Sequence, residues 1–164
     1  MLSRIIGVFK LSASTFEEIE HNTNLTFPAA VIVVLVSLIS GLGNGFFNGF
    51  IHKSFFSGFI GALLSVLVGW LLWSAVTWFV GTRFFAGQAD IGQMLRVIGF
   101  AYLPLSLSII PCVGGLIGII WAIAAGFIAV RQGLDLDDVK AFLTVAIGAL
   151  FYIVLTAILN AVIL

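Results

Sequence analysis

The chain has 164 residues and no formal net charge, with 62% hydrophobic and only 9% charged residues. Soluble domains usually carry about 25% charged residues, so this composition excludes a soluble protein and indicates an integral membrane protein. Seven basic residues balance seven acidic ones, which argues against a nucleic-acid-binding protein. We therefore expect the partners to be membrane lipids and membrane proteins.

The N-terminal segment, residues 1–27, contains five charged residues and is expected to stay at the cytoplasmic face or the membrane interface. Its apolar residues share one helical face, which predicts one or two short amphipathic helices lying along the membrane. The residues on that face are Leu2, Ile5, Ile6, Phe9, Ala13 and Phe16. Thr15 and Glu18 have the spacing of a capping box, so we predict that a helix begins at Phe16.

Residues 28–164 are predicted to form one domain of five membrane-spanning helices. Their approximate bounds are 28–47, 56–82, 92–110, 114–130 and 139–163. The 34 residues between Arg96 and Arg131 carry no charge. As a single helix they would be about 51 Å long, well beyond the roughly 30 Å of bilayer hydrocarbon. This stretch must therefore fold back into two spans.

Prolines and glycines are expected to shape that uncharged stretch. Pro111, Gly114 and Gly115 lie near its middle and are predicted to form the turn. Pro104 falls inside the third span and is expected to act as a hinge, because neighbouring groups in a membrane protein can satisfy the carbonyl that a proline frees.

The positive-inside rule orients the five predicted spans. With the N-terminus in the cytoplasm, the cytoplasmic segments hold six basic residues and the opposite side holds only Lys53. An odd number of spans then puts the C-terminus outside. The predicted fold is an all-α polytopic transmembrane bundle, preceded by a short amphipathic helix at the membrane interface.

Small residues recur every four positions and predict close helix packing. The residues assigned to such packing faces are Gly41, Gly45, Gly114, Gly118, Ala122 and Gly126. Stripes of this kind let helix backbones approach closely in lipid, where no hydrophobic effect draws helices together. The neighbouring helix can belong to this chain or to a partner, and the sequence leaves both alternatives open.

The interiors of the five spans are predicted to contain no Asp, Glu, Lys, Arg or His, which argues against ion pumps and proton-coupled transporters. His21 and His52 fall on opposite membrane faces and cannot share a metal ion. Cys112 is a lone cysteine with no base near it in sequence. We therefore predict a protein without enzymatic activity, with no catalytic residue, cofactor or metal site.

Three arginines are candidate contacts to lipid headgroups or to a partner: Arg83, Arg96 and Arg131. All three fall near the predicted cytoplasmic face, where guanidinium groups can pair with lipid phosphates. The alternative is that these arginines only set the orientation in the membrane.

The second half of the sequence resembles a known family. Arg96-Val-Ile-Gly-Phe-Ala-Tyr-Leu-Pro104, then Ile110-Pro-Cys-Val-Gly-Gly115, then Arg131-Gln-Gly-Leu134 resemble the Yip family of Ypt/Rab-interacting membrane proteins, and the prokaryotic branch most of all. The resemblance implies five membrane helices and a cytoplasmic N-terminus. It also implies, for eukaryotic members, contacts with small GTPases and sister proteins. The segment 1–27 lacks the Asp-Leu-Tyr-Gly-Pro element of those members, which argues against small-GTPase binding here.

The function expected from these features is that of a membrane organiser or interaction scaffold in a prokaryotic cell membrane. It would act through helix packing and contacts with lipids or partners, as a homo- or hetero-oligomer. The alternative is a transporter, scramblase or channel for lipid or a small solute. That alternative is based on Pro104, Ser106, Ser108 and tryptophans near the middle of their spans.

Overall fold

The computed structural model describes residues 1–51, 54–110 and 113–163, and within these ranges it contains helices and no strands. The α-helices are α1 (Leu2–Phe9), α2 (Ala13–His21), α3 (Thr26–Phe50), α4 (Phe55–Phe85), α5 (Ile91–Ala101), α6 (Gly114–Gly133) and α7 (Asp138–Ile163). Two 3₁₀ segments, Thr23–Leu25 and Leu103–Ile109, precede α3 and follow α5. The predicted all-α class is confirmed.

Within the described part of the chain, four helical segments are long and apolar enough to cross a membrane. They are Thr23–Phe46, Phe55–Phe85, Ile91–Ile109 and Gly114–Gly133. Each coincides with one of the first four predicted spans. The helix α7 has 26 residues and occupies the position of the fifth, so the count of five spans stays a prediction.

The N-terminal segment forms an antiparallel hairpin of α1 and α2, in which Arg4 pairs with Glu18. The hairpin extends along α6 instead of standing apart from the bundle. Near one end of α6, Gln132 donates a hydrogen bond to Glu17 (2.8 Å). Eleven residues earlier, which is about 16 Å along the helix, the Trp121 indole donates one to the Phe9 carbonyl (3.0 Å).

The predicted capping box at the start of α2 is wrong. α2 begins at Ala13, with Ser12 as its N-cap residue, because Leu11 adopts a left-handed conformation (φ 56°) that ends α1 early and lets the next helix begin. The Glu18 carboxylate is bound to Arg4 instead of returning to the cap. A capping box does occur at α5, where Asp90 and Gln93 bond each other's backbone.

Pro104 lies where α5 gives way to a 3₁₀ segment, and its role as a hinge stays a prediction. Proline lacks an amide donor and its ring crowds the preceding turn, so the α-helix ends before it. The chain continues with 3₁₀ bonds such as Leu105 N to Tyr102 O (2.9 Å). A Cβ at Gly114 would overlap the Leu107 carbonyl, so a glycine is needed for α6 to begin so close to this segment. Pro111 lies outside the described residues.

The two halves of the bundle are packed differently. We call the half around residues 86–90 and 134–137 the charged half. It holds most of the fully buried side chains, including Phe16, Ile19, Met94, Ile98, Phe100 and Leu134. A backbone hydrogen bond from Gln88 N to Leu134 O (3.0 Å) also joins the two loops of this half. The opposite half, which we call the groove half, is more open.

Candidate functional site

The charged half contains a buried polar cluster made by Glu20, Gln93, Arg96 and Thr26. Glu20 is only 1% exposed and Arg96 only 5%. Arg96 donates from Nη2 to the Glu20 carbonyl oxygen (2.7 Å) and from Nη1 to the Thr26 hydroxyl (3.2 Å). Gln93 donates to Glu20 Oε1 (3.0 Å). The cluster therefore joins α2, the start of α3 and α5.

This cluster corrects the expectation that the spans contain no ionisable residue. Arg96 lies inside α5, within the third predicted span. Its guanidinium is tolerated there because a carbonyl and a hydroxyl of the protein accept its hydrogen bonds. Arg96 is only 5% exposed, and its guanidinium bonds protein groups. A contact with lipid headgroups would require an exposed guanidinium. Lys140, also inside a predicted span, pairs with Asp137 at the start of α7.

The Glu20 carboxyl has a pKa near neutral pH. Its pKa is raised from 4.5 to about 7, chiefly by burial and also by Asp135 and Glu17, while His21 and Arg96 oppose the shift. Arg96 opposes the shift only weakly because its guanidinium bonds the Glu20 backbone carbonyl and not the carboxylate. Oε2 of Glu20 has no hydrogen-bond partner among the described residues.

The other two predicted arginines differ in what they can offer. Arg131 bonds Asp138 (2.7 Å) and Gln132 (3.1 Å), so its donors are largely used within the chain. Arg83 is exposed in the last turn of α4 and makes no ion pair or side-chain hydrogen bond with the described residues. Of the three arginines, Arg83 alone presents a guanidinium with no protein partner in the described structure.

The first glycine stripe lies against α4. A Cβ at Gly45 would come within 2.7 Å of the Phe55 ring, and one at Gly41 within 3.0 Å of Phe59. These glycines let α3 and the start of α4 approach closely. The contact is within the chain.

The second stripe divides into two parts along α6. A Cβ at Gly118 would lie 2.7 Å from the Pro104 carbonyl oxygen, so Gly114 and Gly118 both pack against the 3₁₀ segment. A Cβ at Gly126 would meet no heavy atom of the described chain within 4 Å. Ala122 and Gly126 instead line an open groove.

Two adjacent grooves open on the surface of the bundle, the polar one in the groove half and the apolar one near the middle of the helices. The polar groove has a volume of about 540 Å³ and is lined by Ser40, Asn44, Ala62, Ser65, Val66, Leu105, Ser108, Gly115 and Ile119. The apolar groove has about 330 Å³ and is lined by Trp73, Tyr102, Leu105, Ile119, Ala122, Ile123, Gly126, Phe127, Val145 and Ala149. Leu105 and Ile119 belong to both linings, so the two grooves are neighbours.

Sequence reasoning found only part of this lining. It named Ser108, which lines the polar groove. It also named Ser106, which does not line that groove and whose hydroxyl bonds the Leu103 carbonyl (2.7 Å). It missed Ser40 and Asn44, which are joined by a bond from the Asn44 amide to the Ser40 carbonyl (2.9 Å). Their spacing of four residues in an apolar helix was the available signal. The described residues contain no group of three metal-ligating side chains.

A comparison with protein families agrees with this architecture. The family model for the Yip1 domain matches residues 6–158, which include α2 to α6 whole, the second half of α1 and most of α7. No solved structure matches the chain.

Proposed function

Because the chain belongs to the Yip1 domain family, we propose that it is a non-enzymatic membrane organiser or interaction scaffold. It would work as a homo- or hetero-oligomer in a prokaryotic cell membrane, through contacts of its helices with partner helices and of its charged half with lipids. The main support is the exposed face of α4.

The helix α4 lies at the periphery of the bundle. In the most apolar 18-residue stretch of α4 only 6% of the residues are buried, whereas 44% are buried in the corresponding stretch at α3. Its exposed large apolar residues follow at helical spacing and form one stripe, Phe56, Ile60, Leu64, Val68, Leu71 and Phe79. A second helix can pack along this stripe over most of the 31 residues of α4. We call this surface the α4 stripe.

Packing in the charged half favours a scaffold over a transporter. Side chains there, such as Met94, Val97 and Leu134, are fully buried, and neither groove is lined by any of these three residues. A transporter needs a path that opens to both sides of the membrane. The dense half supports a rigid frame that presents α4 to partners.

Site-specific photocrosslinking in native membranes tests this proposal. A photoreactive amino acid is placed at Leu64 or Leu71 in the α4 stripe, with two differently tagged copies of the full chain coexpressed. Ile120 on α6 is the matched control, because it is 59% exposed and apolar but lies off α4. We expect a discrete protein adduct, containing a second copy or another membrane protein, from the two α4 positions and none from Ile120.

The opposite result is equally clear. If all three positions give only lipid adducts, or if Ile120 crosslinks to protein as strongly as Leu64 and Leu71, the α4 stripe is not an assembly surface and the scaffold proposal fails.

A further inference from the structure

We propose that the groove half binds one uncharged, hydroxyl-bearing lipid of the diacylglycerol type. Its polar head would occupy the polar groove, and one acyl chain would lie in the apolar groove. This site is separate from the α4 stripe and goes beyond the scaffold function.

The polar groove contains hydrogen-bonding groups that the protein does not satisfy. Many hydroxyls outside the groove bond their own backbone, as Ser37 does with Val34 O (2.7 Å) and Ser106 with Leu103 O (2.7 Å), although the buried Ser74 hydroxyl has no partner among the described residues. The Ser65 hydroxyl makes no hydrogen bond with the described residues, and Asn44 uses only its amide donor. Unpaired polar groups are costly in hydrocarbon. A bound molecule that donates to Asn44 and accepts from Ser65 removes this cost.

The remaining polar groups extend the same site across three elements. Ser40 of α3 and Ser108 of the 3₁₀ segment lie 3.3 Å apart, hydroxyl to hydroxyl, and Ser65 belongs to α4. Hydroxyls both donate and accept, whereas the free amide oxygen of Asn44 can only accept and requires a donor. The head of the bound molecule must therefore offer both kinds of group, as a free hydroxyl beside ester carbonyls does.

The charge of the lining selects against phospholipids. None of the nine described lining residues of the polar groove is charged. A phosphate placed there would find no cation among these described lining residues, and an unpaired charge in a low-dielectric site is strongly unfavourable. The head is therefore uncharged.

The apolar groove provides room for a chain beside that head. Leu105 and Ile119 line both grooves, so a molecule can extend from one into the other without leaving the protein surface. The absence of a side chain at Gly126 leaves space in the apolar groove. Both volumes fall in the range of about 300–1,000 Å³ that is usual for small-molecule sites.

Competition photolabelling tests the inference with the full chain reconstituted in phosphatidylcholine vesicles. The probes are diacylglycerol and phosphatidic acid carrying the same photoactivatable acyl chain. We expect diacylglycerol to label peptides of α6 that line the apolar groove, and unlabelled diacylglycerol to compete. Phosphatidic acid should label lipid-exposed positions diffusely and without competition.

Three variants locate the site. Ser65→Leu removes one unsatisfied hydroxyl and should reduce competed labelling about fivefold, the equivalent of a hydrogen bond worth roughly 1 kcal/mol. Gly126→Leu fills the apolar groove without touching a packed contact and should reduce it at least as much. Ser106→Ala is the matched control, because its hydroxyl bonds its own segment, and should label as the unmodified chain does.

Labelling that is not competed, that is as strong with phosphatidic acid, or that is unchanged in both Ser65→Leu and Gly126→Leu would overturn the proposal. Thermal unfolding of each variant, followed by tryptophan fluorescence, separates loss of the site from loss of the fold. If Ser65→Leu unfolds early, Gly126→Leu alone decides the question.

Discussion

At the scale of single residues, the buried carboxyl of Glu20 makes the stability of the charged half depend on pH. Burial raises its pKa from 4.5 to about 7. Between these values the folded protein holds a proton that the unfolded chain releases, so the free energy of unfolding falls as the pH rises through this window. The stabilisation is complete below pH 4.5 and is lost as the pH passes 7.

We expect Glu20→Gln to abolish most of this dependence. The amide stays neutral and can still accept a hydrogen bond from Gln93. Unfolding in detergent micelles, measured at about pH 5 and about pH 8, should show a difference on the order of 3 kcal/mol in the unmodified chain and much less in the variant. Glu18→Gln is the control, since Glu18 is exposed and pairs with Arg4. An unchanged pH slope in Glu20→Gln would show that another group titrates.

Two glycines of one stripe are expected to respond differently to the same substitution. Gly118→Leu would force a side chain into the Pro104 carbonyl, 2.7 Å from its Cβ position, and backbone cannot yield as a flexible side chain can. We expect it to destabilise the fold by about 3 kcal/mol or to prevent folding. A Cβ at Gly126 meets open space. The free energy of unfolding of Gly126→Leu should therefore lie within about 1 kcal/mol of that of the unmodified chain. Equal unfolding temperatures for the two variants would contradict the packing described here.

In the proposed function, Arg83 is the arginine that we expect to contact lipid headgroups. Its guanidinium has no partner in the described structure, and a basic residue near an anionic surface contributes about 1 kcal/mol. Arg83→Gln should therefore weaken retention of phosphatidylglycerol about fivefold in native mass spectrometry. Arg131→Gln should change it less, because Arg131 already bonds Asp138. A larger effect at Arg131 would reverse this assignment.

At the scale of helices, the N-terminal hairpin is fastened to the bundle at separate points. The cluster around Arg96 fixes the end of α2, and Trp121 fixes the end of α1 through the Phe9 carbonyl. Because α1 has only eight residues and buries only Gly7 and Val8, whereas α2 is anchored by the buried Phe16 and Ile19, we expect α1 to open before the spanning helices do.

Trp121→Phe should make that opening easier. The variant keeps an aromatic ring but removes the donor to Phe9, a loss of roughly 1 kcal/mol. Amide hydrogen exchange in α1 should accelerate about fivefold, while exchange in α5 stays unchanged. Trp78→Phe is the control, because its indole bonds the Ala89 carbonyl away from the hairpin. Equal acceleration in α5 would mean that Trp121 stabilises the whole bundle.

The spanning helices could be predicted from sequence, but the contacts of the hairpin could not. Length and hydropathy located the first four candidate spans, and Pro104 located the change to 3₁₀ geometry, because these are local properties of the chain. The bond from Arg96 to the Glu20 carbonyl joins residues 76 positions apart. No local spacing encodes such a contact. The same holds for Ser40 and Ser108, which are 68 positions apart and meet only after α3 packs on the 3₁₀ segment.

At the scale of the whole molecule, charge and packing follow the same axis. The acidic side chains Glu17, Glu20, Asp90, Asp135 and Asp138 all belong to the charged half. This half is also the densely packed one. The groove half combines unsatisfied hydroxyl and amide groups with open volume, whereas the unbonded Glu20 Oε2 and Arg96 Nε of the charged half are buried. Such a division fits a molecule whose charged half is a rigid frame and whose groove half receives a lipid.

This axis makes a prediction about topology. If α3 to α7 all cross the membrane, the charged half faces one compartment and the groove half, with the C-terminus, faces the other. The excess of basic residues then assigns the charged half to the cytoplasm. Cysteine labelling in whole cells measures which side of the membrane a residue faces. The variants are made in a Cys112→Ala background, and each carries one cysteine, in place of Ser3, Ser54 or Gln88 or added after Leu164.

We expect an impermeant maleimide to label the cysteines at Ser54 and after Leu164 in intact cells, and those at Ser3 and Gln88 only after the membrane is opened. Ser54 and Gln88 flank α4 and are both exposed, so they serve as internal controls for the two sides. If the C-terminal cysteine behaves like the one at Gln88, α7 does not cross the bilayer. The bundle would then have four spans, and both of its ends would lie on the side of the charged half.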